Sequence, residues 1–108
     1  MSTDHTHPAF DAIVEEMTAT LPVKKSKMFS MPCLKTLSGK VFAGCFHGVM
    51  VFKLRNPEHA QAMALSGAHL FDPGEMGRPM KEWVVVPVEH AGTWADLAQA
   101  AFAYVNEL

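Results

Sequence analysis

The residues able to do chemistry in this chain are Cys33 and Cys45, a scatter of histidines, and a set of basic side chains interleaved with phenylalanine. A thiol pair could form a staple, and a thiolate with a lowered pKa could act as a nucleophile. No sequence feature marks either thiol as activated. His5, His7, His47, His59, His69 and His90 show no H-x-x-x-H or C-x-x-C spacing, so no metal site is expected. "DPGEMGRP", Asp72 to Pro79, has glycines but no phosphate-binding pattern, and it joins two predicted strands with no helix following. It reads as a hairpin loop, with Arg78 a candidate partner contact. No convergent nucleophile and base can be read from spacing, no cofactor is implied, and the chain is not expected to be an enzyme.

The basic set is the more informative feature. Between Glu16 and Glu58 there is no Asp or Glu, yet Lys24, Lys25, Lys27, Lys35, Lys40, Lys53 and Arg55 all fall there. The net charge of −2 therefore conceals a segregated chain. Acids dominate before that window and after it. "KKSK", Lys24 to Lys27, reads as a solvated connector with like charges.

The elements that must position these residues follow from composition and period. With 108 residues and 49% hydrophobic content, the chain has the size and apolar content of one domain, residues 1–108, with 1–7 a mobile terminus. No apolar run approaches the roughly 18 residues of a membrane span. The N-terminus has neither the basic nor the apolar region of a signal peptide. A cytoplasmic location is the expectation, and there Cys33 and Cys45 would stay reduced.

Phe10, Ile13, Val14, Met17 and Leu21 recur at helical spacing and predict a helix over residues 8–20, begun by Pro8 and stopped by Pro22. The period then becomes two. Strands are predicted over 32–37, 40–46 and 49–55, cut by the turns Ser38-Gly39 and His47-Gly48. Asn56 offers an N-cap for a short helix over 57–65, ended by Gly67. Leu70-Phe71 and Lys81 to Val86 predict a second hairpin. Thr93 would cap a final helix with a stripe of Trp94, Leu97, Ala101, Tyr104 or Val105, and Leu108. The fold class is two-layer α+β, an antiparallel five-stranded sheet with helices in the order α-β-β-β-α-β-β-α.

"KSKMF" (Lys25 to Phe29), "LSGKVFAG" (Leu37 to Gly44), "VMVFKL" (Val49 to Leu54) and "GRPMKEWVVVP" (Gly77 to Pro87) together resemble the N-terminal domain of TfoX/Sxy-type competence regulators and their stand-alone relatives. The resemblance covers about residues 8–107 and implies a two-layer α+β domain with an antiparallel sheet. It also implies a regulatory role, related to transcription or competence, and it carries over no catalytic residue. The chain has Ser30-Met31-Pro32 where the family has a glycine pair.

If both tight turns are two-residue loops, Leu37 faces Lys40 and Phe46 faces Val49, and side chains sort by parity. One face holds Leu34, Thr36, Val41, Ala43, Cys45, Met50, Phe52 and Leu54 and should lie under the helices. The other carries Phe42, Phe46, Val49 and Val51 as an apolar centre, bordered by Lys35, Lys40, Lys53 and Arg55. Cys33, opposite Gly44, would be partly exposed on this second face. An apolar centre with a polar rim is the layout of a protein contact, so these residues are the candidate site for a protein partner or a second copy. Single-stranded nucleic acid is the alternative, with the basic residues on phosphates and Phe42 and Phe46 on bases. No membrane contact is expected.

Overall fold

The computed structural model describes residues 8–28, 31–72, 77 and 80–107. The predicted terminus with His5 and His7, Phe29 of the family-like stretch, Arg78, and Leu108 of the last helical stripe lie outside the described residues. Among the described residues, three helices and six strands run in the order α1 (Pro8–Thr20), β1 (Val23–Met28), β2 (Met31–Thr36), β3 (Val41–Phe46), β4 (Val49–Lys53), α2 (Glu58–Met63), β5 (His69–Phe71), β6 (Met80–Val86) and α3 (Trp94–Asn106), with a 3-10 turn at Val88–Thr93. The strands form one antiparallel sheet in the order β1-β2-β3-β4-β6-β5. The α+β class stands, with six strands in place of five.

The added strand is β1, where a connector was expected. It pairs along its whole length with β2, from Val23 opposite Thr36 to Met28 opposite Met31. Three lysines in six residues conceal a strand from any apolar alternation. They suit an edge, where solvated lysines discourage a further strand from joining.

The helices cover one face of the sheet. α3 lies across β2, β3 and β4, α1 packs on β1 and α3, and α2 packs on β6 and α3. α1 buries Phe10, Ile13 and Met17, with Val14 and Leu21 partly covered, which is the stripe its spacing predicts. α3 buries Trp94, Ala98, Ala101 and Val105. Its stripe is rotated from the expected one, so that Leu97 sits at the margin and small Ala98 and Ala101 face the sheet. Small residues there leave room for the phenylalanines beneath. Thr93 does not cap α3. Its hydroxyl donates to the His90 carbonyl at 2.7 Å and closes the preceding 3-10 turn. Nor does Asn56 cap α2, since Pro57 holds the cap position with no side-chain hydrogen bond.

The two hairpin turns differ, and the difference decides which side chains reach which face. At His47-Gly48 the loop has two residues, both with positive φ (50° and 85°), and Phe46 faces Val49 as predicted. At Ser38-Gly39 the Thr36 N–H donates to the Lys40 carbonyl, so the loop is Leu37-Ser38-Gly39 with Gly39 at φ 95°. That extra residue is absorbed by a bulge in β3. Lys35 faces Val41, but Leu34 faces Ala43 and Cys33 faces Gly44. Lys40, Val41 and Phe42 therefore change sides, while everything beyond the bulge keeps the predicted register.

Candidate binding face

Phe42 belongs to the helix-side core. It is fully buried, in one cluster with Phe10, Phe52, Trp94 and Ala98, and its ring meets Phe102 of α3 edge-on at 5.6 Å. Val41 takes its place on the opposite face. Lys40 faces Thr36, whose hydroxyl accepts its N–H at 3.2 Å, and so leaves the predicted rim. Arg55 lies beyond the end of β4, on the helix side. Its guanidinium sits 5.3 Å from the centre of the Tyr104 ring and 2.5 Å from the Glu107 carboxylate. Of the predicted set, Lys35, Phe46, Val49, Val51 and Lys53 stay on the face away from the helices.

That face is not a bare patch. Val51 is wholly buried there in a second apolar cluster with Met31, Phe71, Trp83 and Val85, against which Val41, Phe46, Val49 and Met80 pack. The sequence pattern that predicts β6 carries no register to β4, so it does not place Trp83, Phe71 and Val85 on this face. Lys53 opposite Trp83 and Val51 opposite Val85 carry the same alternation onto β6. Hence the sheet separates two clusters.

One end of this face is open, where β3 ends, β4 begins, β6 ends and β5 begins. Phe46, Val49, Phe71, Val85 and Pro87 line a groove of about 380 Å³, with His47, His69 and Asp72 also on its wall. Phe46 holds its form, meeting Phe71 edge-on at 5.2 Å and His47 at 4.2 Å. The polar groups are oriented. His69 donates Nδ1–H to the Gly67 carbonyl at 3.1 Å. Asp72 accepts the Gly77 N–H at 3.1 Å. Among the described residues, no histidines, cysteines and acids gather in a set that could hold a metal ion.

The basic end of the sheet is occupied by ion pairing. Lys53 stands 3.7 Å from Glu82, Tyr104 donates its hydroxyl to the same carboxylate, and Arg55 pairs with Glu107. The Glu82 contact raises the Tyr104 pKa, chiefly by hydrogen bonding. Arg55 and Glu107 are largely exposed, so Arg55→Ala should change unfolding free energy by less than about 1 kcal/mol, as denaturant melts will show.

Cys33 and Cys45 are both buried, and among the described residues there is no disulfide. Their register is the predicted one, on opposite faces, but Cys33 is as covered as Cys45. Burial raises the Cys33 thiol pKa, with nearby Lys35 opposing the shift. A raised folded pKa means the folded state holds its proton longer. Stability is then full below about pH 8.5 and falls as the pH rises beyond it. Both thiols should resist a maleimide at neutral pH until global unfolding, and Cys33→Ala should flatten the alkaline loss. Rapid modification of Cys33 in the folded protein would contradict its burial.

No helix among the described residues is long and apolar enough to cross a membrane. Compared with known proteins, the chain matches no family model, no curated protein and no solved structure.

Proposed function

We propose that this is a non-enzymatic, TfoX-N-like domain that works by contacting another protein, in a regulatory or accessory role, through the sheet face away from the helices. The observation that supports it is the apolar groove at the end of that face, walled by Phe46, Val49 and Phe71. Apolar and aromatic walls with few polar groups are the usual make-up of contact sites. The nucleic-acid reading loses support on two counts. Phe42 is unavailable for stacking, and Lys53 and Arg55 already face carboxylates.

The test is site-specific photo-crosslinking in cells with the reactive side chain at Phe46 or Val49. Cross-links to a polypeptide are expected from both positions, and far fewer from Lys53. Cross-links to nucleic acid from Lys24 or Lys35, together with in vitro binding that weakens steeply with salt, would replace the proposal by the nucleic-acid reading. Equal, background-level cross-linking at every position would remove both.

A further inference from the structure

The main-chain groups that β1 turns outward can be assigned from its pairing with β2. The Thr36 N–H donates to the Lys40 carbonyl and the Thr36 carbonyl accepts from Gly39, so both groups of Thr36 point away from β1. Opposite residues in an antiparallel pair alternate between exchanging both main-chain bonds and exchanging neither. Thr36 faces Val23 without exchange, so Lys35 exchanges with Lys24, and Lys25, opposite Leu34, turns its N–H and C=O outward. Among the described residues, no strand lies beyond β1 and no main-chain bond reaches these two groups of Lys25.

The side chains at this edge are cationic on both faces. Lys24 and Lys35 stand directly opposite each other on the face away from the helices, and like charges so placed are destabilising. Lys25 lies on the helix side. Lys24 and Lys25 are exposed, and among the described residues no carboxylate pairs with Lys24, Lys25 or Lys35. No Asp or Glu occurs from residue 17 to residue 57 that could do so locally. The fold therefore leaves the charge of this corner uncompensated. It lies away from the groove, since Lys35 faces Val41, at the far end of β3 from Phe46.

We propose that this corner of β1 takes an acidic, extended segment of a partner protein as a further strand, bonded to the Lys25 main chain, with a carboxylate beside Lys24 and Lys35. Main-chain hydrogen bonds supply affinity in this mode, and side chains supply selection. The lysines that discourage apolar or basic edges from joining become the element that selects an acidic one. β1 of a second copy would set lysine against lysine. Nucleic acid would bring phosphates to the lysines but no ladder to the Lys25 N–H and C=O, and β1 and β2 carry no aromatic ring on which a base could stack. This contact is additional to the one at the groove and does not rest on it.

The probe is a fluorescein-labelled peptide of four Thr-Glu repeats, titrated against the full chain by anisotropy, with a peptide of four Thr-Gln repeats and a short thymidine oligonucleotide for comparison. The Thr-Glu peptide should bind tighter than either. Lys24→Gln, Lys25→Gln and Lys35→Gln together should weaken it about fivefold or more, as loss of exposed charge pairs requires, and Phe46→Ser should leave it unchanged. At saturation, amide exchange followed by NMR should slow about tenfold at Lys25, whose N–H gains a bond, and stay as it was at Lys24, whose N–H is already bonded to Lys35. No binding of the Thr-Glu peptide, equal binding of the Thr-Gln peptide, indifference to the triple substitution, loss on Phe46→Ser, or unaltered exchange at Lys25 overturns the proposal. Tighter binding of the oligonucleotide, without protection of Lys25, would overturn it in favour of nucleic acid at these lysines.

Discussion

Phe42→Ala and Phe52→Ala are each expected to cost about 3–5 kcal/mol of unfolding free energy. Both rings are wholly buried on the helix side, Phe42 against Phe102 and Phe52 in the same cluster with Trp94 and Val84. Small domains hold only about 5–15 kcal/mol in total, so each variant should lose a large share of its stability. Denaturant unfolding of the two, side by side, checks the bulge as well as the core. The simple parity register puts the two rings on opposite faces and would make Phe42→Ala mild. A midpoint for Phe42→Ala close to wild type, with a large loss for Phe52→Ala, would place Phe42 back on the outer face and dissolve the bulge.

The second large effect concerns Gly44, whose conformation is ordinary but whose surroundings are crowded. A Cβ at Gly44 would stand 2.5 Å from Met31 Cε and 2.9 Å from its sulfur. Met31 lies over the glycine in the outer cluster and is almost fully buried itself. Gly44→Ala should therefore cost about 1–3 kcal/mol, the range of overpacking in a filled core. Met31→Ala alone leaves a void and should cost about 2–5 kcal/mol. The double variant lets the new methyl enter the emptied space, so the two losses should fall short of additive by about 0.5–3 kcal/mol in a double-mutant cycle. Strict additivity would mean that Met31 does not rest on Gly44.

Much of this architecture can be read from residue order, and the exceptions have specific causes. The spacing of Phe10, Ile13 and Met17 defines α1, and His47-Gly48 fixes the β3–β4 register, because positive φ at both positions admits a two-residue loop. At Ser38-Gly39 the same kind of dipeptide closes a three-residue loop. The dipeptides alone do not distinguish the two; around the wider loop the Thr36 hydroxyl bonds both the Ser38 hydroxyl and the Lys40 N–H. A one-residue shift moves every side chain until a bulge restores the phase, which is why Phe42, Val41 and Lys40 were placed on the wrong faces. β1 was hidden by its lysines. Of the candidate site, Phe46 and Val49 were legible from parity, whereas Phe71, Val85 and Asp72 come together through pairing of distant segments. Arg55 was misplaced because β4 stops at Lys53 and the chain turns toward α3.

The two-sided burial of the central strands has a kinetic corollary. β3 and β4 are dry on both faces, so their amides can meet solvent only when both apolar clusters come apart, and exchange there must report the opening of the whole molecule. Among the described residues, β5 pairs with β6 alone and through three residues, with a break in its register at Leu70/Phe71. Its release would draw Phe71 out of the outer cluster but leave the helix-side cluster closed. The molecule thus has a frame closed on two sides and a margin anchored on one.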